Sequence, residues 1–137
     1  MKNIIAVFAL FAGWIGSAFA VCATPYMNGN DTKALLNNKT VCSPANCTNS
    51  GGTCLWQEWH NGTDSGSLIE MHAGTTADPQ ETVGTFSIAT TGKVTHIYTG
   101  GGGTYNYDVH NDGGGSYTFC GTNGSFGFRV IGPNTRC

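Results

Sequence analysis

Short runs of alternating apolar and polar residues, separated by turns rich in glycine and asparagine, constrain this chain more than any other feature. Seven such runs follow Cys54, each long enough for one strand, and a shorter eighth precedes it. The runs are Thr40–Cys42, Leu55–His60, Leu68–His72, Val83–Ala89, Val94–Thr99, Thr104–His110, Ser116–Cys120 and Phe126–Ile131. Because the connections between them are short, the pattern predicts an all-β fold, a small antiparallel meander of seven to eight strands that forms an up-and-down barrel or a sandwich.

One helix and several turns complete the predicted outline. Only Asp31–Leu36 combines helix-forming residues with a possible N-cap, which is Asn30 or Asp31 itself. The polar stretch Asn61–Ser67 is predicted to be the loop between the second and third runs. The glycine run at 100–103 lacks the Gly-Lys-Ser/Thr ending of a phosphate-binding loop, so we interpret it as a turn.

The first twenty residues have the pattern of a secretory signal peptide. Lys2 precedes the apolar run Ile4–Ile15, and Ala18-Phe19-Ala20 is a small-residue cleavage site. We expect a secreted protein, extracellular or periplasmic, with no membrane span after cleavage. Removal of twenty from 137 residues leaves 117, which suits one domain: a Cys-rich N-terminal arm at 21–54 and an antiparallel β domain at 55–137 in one globular unit.

Six cysteines lie after the predicted cleavage site. An even number of cysteines in a small exported chain favours disulfides over metal thiolates, but six cysteines allow fifteen connectivities. The cysteines are Cys22, Cys42, Cys47, Cys54, Cys120 and Cys137. Four of them crowd into 22–54, so we expect a disulfide-stapled, strand-poor arm. No C-x-x-C pair is present, which argues against a thiol redox motif or a zinc ribbon.

Charged residues are sparse and mixed. Without Lys2 the chain has five basic residues, and they are scattered among eight acidic ones. A nucleic-acid site needs clustered lysine and arginine to neutralise phosphates, so nucleic acid is excluded as an expected partner.

Aromatic residues alternate along several of the predicted strands. Tyr105 and Tyr107 share one side of their strand, and the next strand places Tyr117 and Phe119 against that side. The simplest interpretation is a hydrophobic core, and the alternative is an aromatic floor for a ligand. The residues that we single out as candidate ligand contacts are Trp56, Trp59, Tyr105, Tyr107 and Tyr117.

A repeated Glu-x-His figure is the most unusual motif. Glu58 and His60 share one strand face, as do Glu70 and His72. Pairing of residue 60 with 70 and of 58 with 72 would place each glutamate opposite a histidine. Because Trp59, Ile69 and Met71 then occupy the other face, we expect the acid–imidazole cluster to face solvent.

Three interpretations of this cluster stay open. The first is two structural Glu–His pairs on a wet surface, each contributing at most about 1 kcal/mol. The second is a divalent metal site, zinc for example, formed by Glu58, His60, Glu70 and His72. The third is acid–base catalysis in which Arg129 stabilises an anionic transition state.

The orientation of His96 depends on one loop. A two-residue loop in the hairpin around Gly92 pairs Phe86 with Ile97, whereas a three-residue loop pairs Phe86 with His96. Since a slip of one residue exchanges the two faces of a strand, the sequence leaves the direction of His96 undecided.

The leading functional hypothesis is a secreted, non-catalytic binding module. It would recognise a small ligand, a glycan or a protein through aromatic strand faces and Gly/Asn-rich loops, and no cofactor is expected. An alternative is a structural or assembly subunit of a surface, matrix or filament, formed by edge pairing or intermolecular disulfides. A second alternative is a small secreted hydrolase or metal-binding protein that uses the Glu-x-His hairpin, although no complete catalytic motif is present.

Overall fold

Eight antiparallel strands and one helix form the protein. The computed structural model describes residues 22–71 and 80–137. The helix is α1 (Gly29–Leu36), and the strands are β1 (Lys39–Ser43), β2 (Trp56–Thr63), β3 (Ser65–Glu70), β4 (Glu81–Ile88), β5 (Val94–Tyr98), β6 (Gly103–Gly113), β7 (Ser116–Gly121) and β8 (Gly124–Ile131). All eight predicted strands are confirmed. The predicted signal peptide and His72 lie outside the described residues.

The strands form a closed barrel rather than a sandwich. Each strand pairs with its neighbours in sequence, and β1 closes the sheet against β8 through Thr40–Ile131, Val41–Val130 and Cys42–Arg129. Every strand therefore has a partner on both sides, and the described sheet has no free edge. This arrangement is the up-and-down barrel alternative of the sequence analysis.

The β2–β3 hairpin is tighter than the sequence predicts. Both strands continue through the stretch predicted as a loop and reverse at Asp64, which has a φ of 62°. The Asp64 carboxylate accepts hydrogen bonds from Lys33 Nζ (2.7 Å) and Asn37 Nδ2 (3.0 Å). The predicted Asn61–Ser67 loop is wrong because these contacts from the helical segment hold an aspartate in a left-handed turn, which alternation along the strands does not reveal.

Helix α1 covers one end of the barrel, called here the helical end. The Asn28 side chain caps the helix by accepting a hydrogen bond from the Asp31 backbone N–H, three residues on. Gly29 packs so closely on the β4–β5 turn that a Cβ atom there would overlap the backbone carbonyl of Thr90. Leu36 is fully buried in the core. The predicted helix at Asp31–Leu36 is confirmed, with its cap two or three residues earlier than expected.

Apolar side chains fill the middle of the barrel. Phe119 and Phe128 stack with ring centroids 4.1 Å apart, and neither is exposed. Val41, Leu68 and Val109 are likewise fully buried in the same cluster. Among the described residues, the centre of the barrel is therefore packed core.

Three disulfides cross-link the described chain, and two of them join parts that are distant in sequence. They are Cys22–Cys120, Cys42–Cys137 and Cys47–Cys54. Only Cys47–Cys54 lies within the Cys-rich arm; the other two tie the arm to β7 and to Cys137. The expected disulfide-stapled N-terminal arm is confirmed, and two of its three bridges lead outside the arm. Because this segment also supplies β1, it is an integral part of the barrel.

The disulfides suit an oxidising environment outside the cytoplasm, where such bonds persist. Within residues 22–71 and 80–137, no helix has the length and apolar character needed to cross a membrane.

Candidate functional site

The Glu-x-His strand faces the opposite way from the prediction. Glu58 pairs with Glu70 and His60 pairs with Leu68, a register two residues away from the expected one. Glu58 is 2% exposed and His60 is not exposed at all, so both side chains lie inside the barrel. The prediction of a wet acid–imidazole cluster is therefore wrong.

The prediction that Glu58 and His60 face solvent failed because both faces of β2 are covered. On the outer face, the Gln57 side chain donates a hydrogen bond to Asn49 and accepts one from the Cys137 backbone N–H. Met71, which was predicted to lie in the core, is buried. It follows the end of β3, and its backbone N–H donates a hydrogen bond to the backbone carbonyl of Gln57. Burial on both faces removes the amphipathic contrast on which the prediction depended.

His60 and His96 meet in the interior. The loop between β4 and β5 pairs Phe86 with His96, as the three-residue alternative required, and this register turns His96 inward. The Nε2 atoms of the two imidazoles lie 3.0 Å apart, and both side chains are fully buried. Burial lowers the pKa of His60 to about 4. Burial, with the imidazole of His60, holds the pKa of His96 well below its ordinary value. Both rings are therefore neutral at neutral pH.

Glu58 has the most perturbed carboxyl among the described residues. Its Oε2 accepts a hydrogen bond from the Tyr98 hydroxyl at 3.0 Å, and the Trp56 indole also donates to it. Burial raises the pKa of Glu58 to about 7, the two hydrogen bonds oppose that rise, and the nearby Glu70 adds to it. The carboxyl is therefore close to half protonated at neutral pH.

Aromatic side chains surround Glu58 at the end of the barrel opposite α1. The Trp56 ring lies 5.9 Å from that of His96, and His96 lies 6.1 Å from Tyr98 and 5.5 Å from Tyr107. Tyr105 stacks nearly parallel on Tyr107 at 6.5 Å.

We call this end of the barrel the mouth. It consists of Trp56, Glu58, Glu70, Tyr98, Tyr105 and Tyr107. Trp56, Tyr98 and Tyr105 pack against the core and are partly exposed, so solvent contacts these three aromatic side chains.

The structure brings together three of the five aromatic residues singled out from the sequence. Trp56, Tyr105 and Tyr107 belong to the mouth. Trp59 lies on the outer surface, where its indole donates to Asn38 Oδ1 at 3.0 Å. Tyr117 lies near the helical end, with its ring 5.6 Å from Phe128.

Sequence reasoning missed Tyr98. Tyr98 lies two residues after His96 on β5, so the two side chains share one face of the strand. Whether that face points inward depended on the length of the β4–β5 loop. The tyrosine could have been found once the three-residue loop was chosen.

A shallow groove of about 740 Å³ lies at the helical end. Tyr26, Leu35, His110 and Tyr117 contribute to its walls. The His110 imidazole there contacts Asp112 Oδ1 at 2.8 Å. The groove is open and has no buried carboxyl at its base within the described residues, so the mouth is the stronger candidate for a specific site.

The metal and hydrolase arrangements considered as alternatives in the sequence analysis do not assemble among the described residues. His60 already uses its Nε2 atom in the contact with His96, and His72 lies outside the described residues. Arg129 is on the outer face, where it donates to the backbone carbonyls of Cys47 (2.9 Å) and Cys137 (3.3 Å). Its guanidinium is therefore on the other side of the sheet from Glu58 and His60.

Three potential metal ligands approach one another at a single place among the described residues. The sulfur atoms of Cys47, Cys54 and Cys137 lie within 4.8 Å of one another, but all three belong to disulfides. Oxidised sulfur offers no thiolate to a metal ion.

Comparison of the chain with protein-family models, curated proteins and solved structures found no match.

Proposed function

We propose that the protein is a secreted, non-catalytic binding protein that holds a small ligand in the mouth of the barrel. The observation that carries this proposal is the inward-facing carboxyl of Glu58 among partly exposed aromatic side chains. Burial of a carboxyl next to a second one costs free energy that glutamine or an apolar residue would avoid. Perturbed ionisable groups that face an accessible part of the interior are typical of functional sites.

The packed centre of the barrel restricts where a ligand can bind. The Phe119–Phe128 stack and the neutral imidazole pair occupy the middle, and α1 covers the helical end. A ligand of this barrel would therefore contact the mouth, with its apolar part on the aromatic rings and a polar group towards Glu58.

The fold favours a binding function over assembly that uses free strand edges or intermolecular disulfides. An assembly subunit of the kind considered above would use free edges or intermolecular disulfides. The described strands are all paired on both sides, and the six cysteines form three bridges within one chain.

Tryptophan fluorescence provides a direct test. Trp56 lies in the mouth and Trp59 on the outer surface, so Trp56→Phe and Trp59→Phe form a matched pair. We expect a library of small amines, sugars and aromatic acids to contain compounds that change the fluorescence of the oxidised protein. The change should be lost in Trp56→Phe and retained in Trp59→Phe.

Calorimetry on the same compounds would confirm binding independently of fluorescence. The proposal fails if a folded, oxidised sample binds no compound with a Kd below about 1 mM. It also fails if the compounds that bind do so equally well after Trp56→Ala and after Glu58→Gln.

A further inference from the structure

The groove at the helical end is formed by three separate parts of the chain. They are the segment that precedes α1, one face of α1, and the ends of β6 and β7 next to their shared turn. Asp31 and Leu35 lie four residues apart, so they share one face of the helix. The walls of the groove include Tyr26, Met27, Asp31, Leu35, His110 and Tyr117.

The segment before α1 is attached to the barrel at two points. Cys22 forms a disulfide with Cys120 on β7, and the Met27 backbone N–H donates to the Val109 carbonyl at 2.7 Å. This wall is therefore fixed by the oxidised fold. A site whose walls are fixed in advance loses less conformational entropy when a ligand binds.

The His110 imidazole has a fixed orientation in this groove. Its Nδ1 contacts Asp112 Oδ1 at 2.8 Å, and the other carboxyl oxygen of Asp112 accepts a hydrogen bond from the fully buried Thr118 hydroxyl at 2.7 Å. The strand pairing shifts between Asn111 and Gly113, so Asp112 has no paired residue on β7. Such bulges commonly redirect a side chain next to a functional site.

The contact with Asp112 determines what His110 can offer a ligand. A carboxylate can only accept hydrogen bonds, so Nδ1 of the imidazole is the nitrogen that carries the proton. In the neutral ring Nε2 is then a hydrogen-bond acceptor, and the carboxylate behind the ring strengthens it through cooperative polarisation. Among the described residues, the hydrogen bond of this imidazole is the one to Asp112, which leaves Nε2 for a ligand.

The charge of the walls favours a positive ligand group over a negative one. Asp31 is a carboxylate with one oxygen bonded to the Asn28 side chain, and its second oxygen can accept from a ligand. No lysine or arginine is among the described residues that line the groove. Tyr26, Met27 and Leu35 give the same walls an apolar part, and the Tyr26 side chain is exposed.

We infer that this groove is a second binding site, which takes a small primary amine with its ammonium group at the end of an apolar chain. An ammonium group has three N–H donors, enough for both His110 Nε2 and the Asp31 carboxylate. The apolar chain lies against Leu35 and the rings of Tyr26 and Tyr117. The inference goes beyond the proposed function, because it uses no residue of the mouth.

The test compares one apolar chain that carries three different head groups. Hexylammonium, hexan-1-ol and hexanoate are titrated into the full oxidised chain at pH 8.5, where an alkylamine, like lysine, is still charged. Nitrogen chemical shifts of the imidazole establish that His110 is neutral under these conditions. We expect hexylammonium to bind at least about tenfold more tightly than hexan-1-ol, because hydrogen bonds that involve a charged group are about twice as strong as neutral ones.

The same NMR titration locates the site. Hexylammonium should shift the backbone amide signals of Tyr26, Leu35 and His110. The signals of Tyr98 and Tyr105 at the mouth should stay in place. Asp31→Asn should weaken the binding of hexylammonium and leave that of hexan-1-ol unchanged, because it removes the charge of the wall and keeps its shape.

Asp112→Asn tests the role of the imidazole. The Thr118 hydroxyl holds the amide oxygen, so the amide N–H faces His110 Nδ1 and the ring proton moves to Nε2. The groove then presents a donor where the ammonium group needs an acceptor. We expect a loss of at least about tenfold for hexylammonium, with little change for hexan-1-ol. Asp108→Asn is the matched control on the same strand, because its carboxylate pairs with Lys93.

A milder variant covers the case in which Asp112→Asn does not fold. Thr118→Val removes one hydrogen bond to Asp112 and retains the aspartate. It should weaken hexylammonium binding by a smaller factor than Asp112→Asn, because the carboxylate is then held less firmly against the ring.

Three results would overturn the inference. They are equal affinity for hexylammonium and hexan-1-ol, tighter binding of hexanoate, and absence of hexylammonium binding with a Kd below about 10 mM. Unchanged hexylammonium binding in both Asp112→Asn and Thr118→Val would also overturn it. None of these results affects the proposed function of the mouth, which is tested through Trp56 and Glu58.

Discussion

His60 and His96 contact each other through their Nε2 atoms, 3.0 Å apart, inside a barrel where neither side chain reaches solvent. One ring must donate the proton and the other accept it, so the two histidines hold opposite tautomers. Protonation of either ring would bring a buried charge into an interior lined by phenylalanine and valine. The pair is therefore a structural element that depends on both rings being neutral.

We predict that both histidines stay neutral at pH 5.5, where an ordinary histidine is mostly charged. Burial lowers both pKa values, so these rings stabilise the fold above pH 6.5 and that stabilisation is lost as the pH falls towards 4. Nitrogen chemical shifts measured by NMR should show one Nε2–H and one Nδ1–H tautomer. Titration of His60 near pH 6.5 would contradict the buried contact.

Glu58→Gln should stabilise the protein at high pH and leave it nearly unchanged at low pH. The pKa of Glu58 rises from 4.5 to about 7 on folding, so its protonated form stabilises the fold below pH 4.5 and this stabilisation is lost as the pH rises through 7. At 1.36 kcal/mol for each pKa unit, the loss reaches about 3 kcal/mol. Glutamine stays neutral and does not suffer it.

Urea unfolding of Glu58→Gln and of the unmodified protein at pH 5 and pH 9 measures this difference. Glu81→Gln is the control, because Glu81 is an exposed glutamate that pairs with Glu70 on the neighbouring strand. A gain in the free energy of unfolding that is the same at both pH values would show that ionisation of Glu58 is not the cause.

The two disulfides next to Arg129 should differ in their contribution to stability. Cys42–Cys137 spans 95 residues and Cys47–Cys54 spans 7. In the chain-entropy model the longer loop contributes about 4.7 kcal/mol and the shorter about 2.4 kcal/mol. The double substitution Cys42→Ser and Cys137→Ser should therefore lower the free energy of unfolding by roughly twice as much as Cys47→Ser with Cys54→Ser. Equal losses in urea unfolding would mean that local packing outweighs loop entropy.

The sequence predicts the strands of this protein better than it predicts their faces. Alternation and turn residues identified all eight strands, because the period of two and the glycine-rich turns are local properties. The side chains of Glu58 and His60 were predicted to face solvent but point inward. The prediction failed because a polar strand face is normally the one exposed to solvent. Here the outer face of β2 is covered because Gln57 forms hydrogen bonds with Asn49 and Cys137. Asn49 lies in an irregular segment, and Cys137 is distant from β2 in sequence.

Residues of the mouth were predictable only in part. Tyr105 and Tyr107 were identified because aromatic residues alternate on their strand, and Trp56 was singled out as an individual aromatic residue. Tyr98 and the contact between His60 and His96 depend on the length of the β4–β5 loop and on the barrel closing. Neither property can be read from a pattern within one strand.

The pairing of β1 with β8 involves three residue pairs, fewer than any other pairing in the barrel. A β-barrel opens most easily at its shortest strand pairing. If β1 and β8 separated, they would become the two unpaired edge strands of an open sheet. Cys42 lies in the last of the three pairs, and its bond to Cys137 joins β1 covalently to the segment that follows β8. That single bond therefore secures covalently the strand pairing on which closure of the barrel depends.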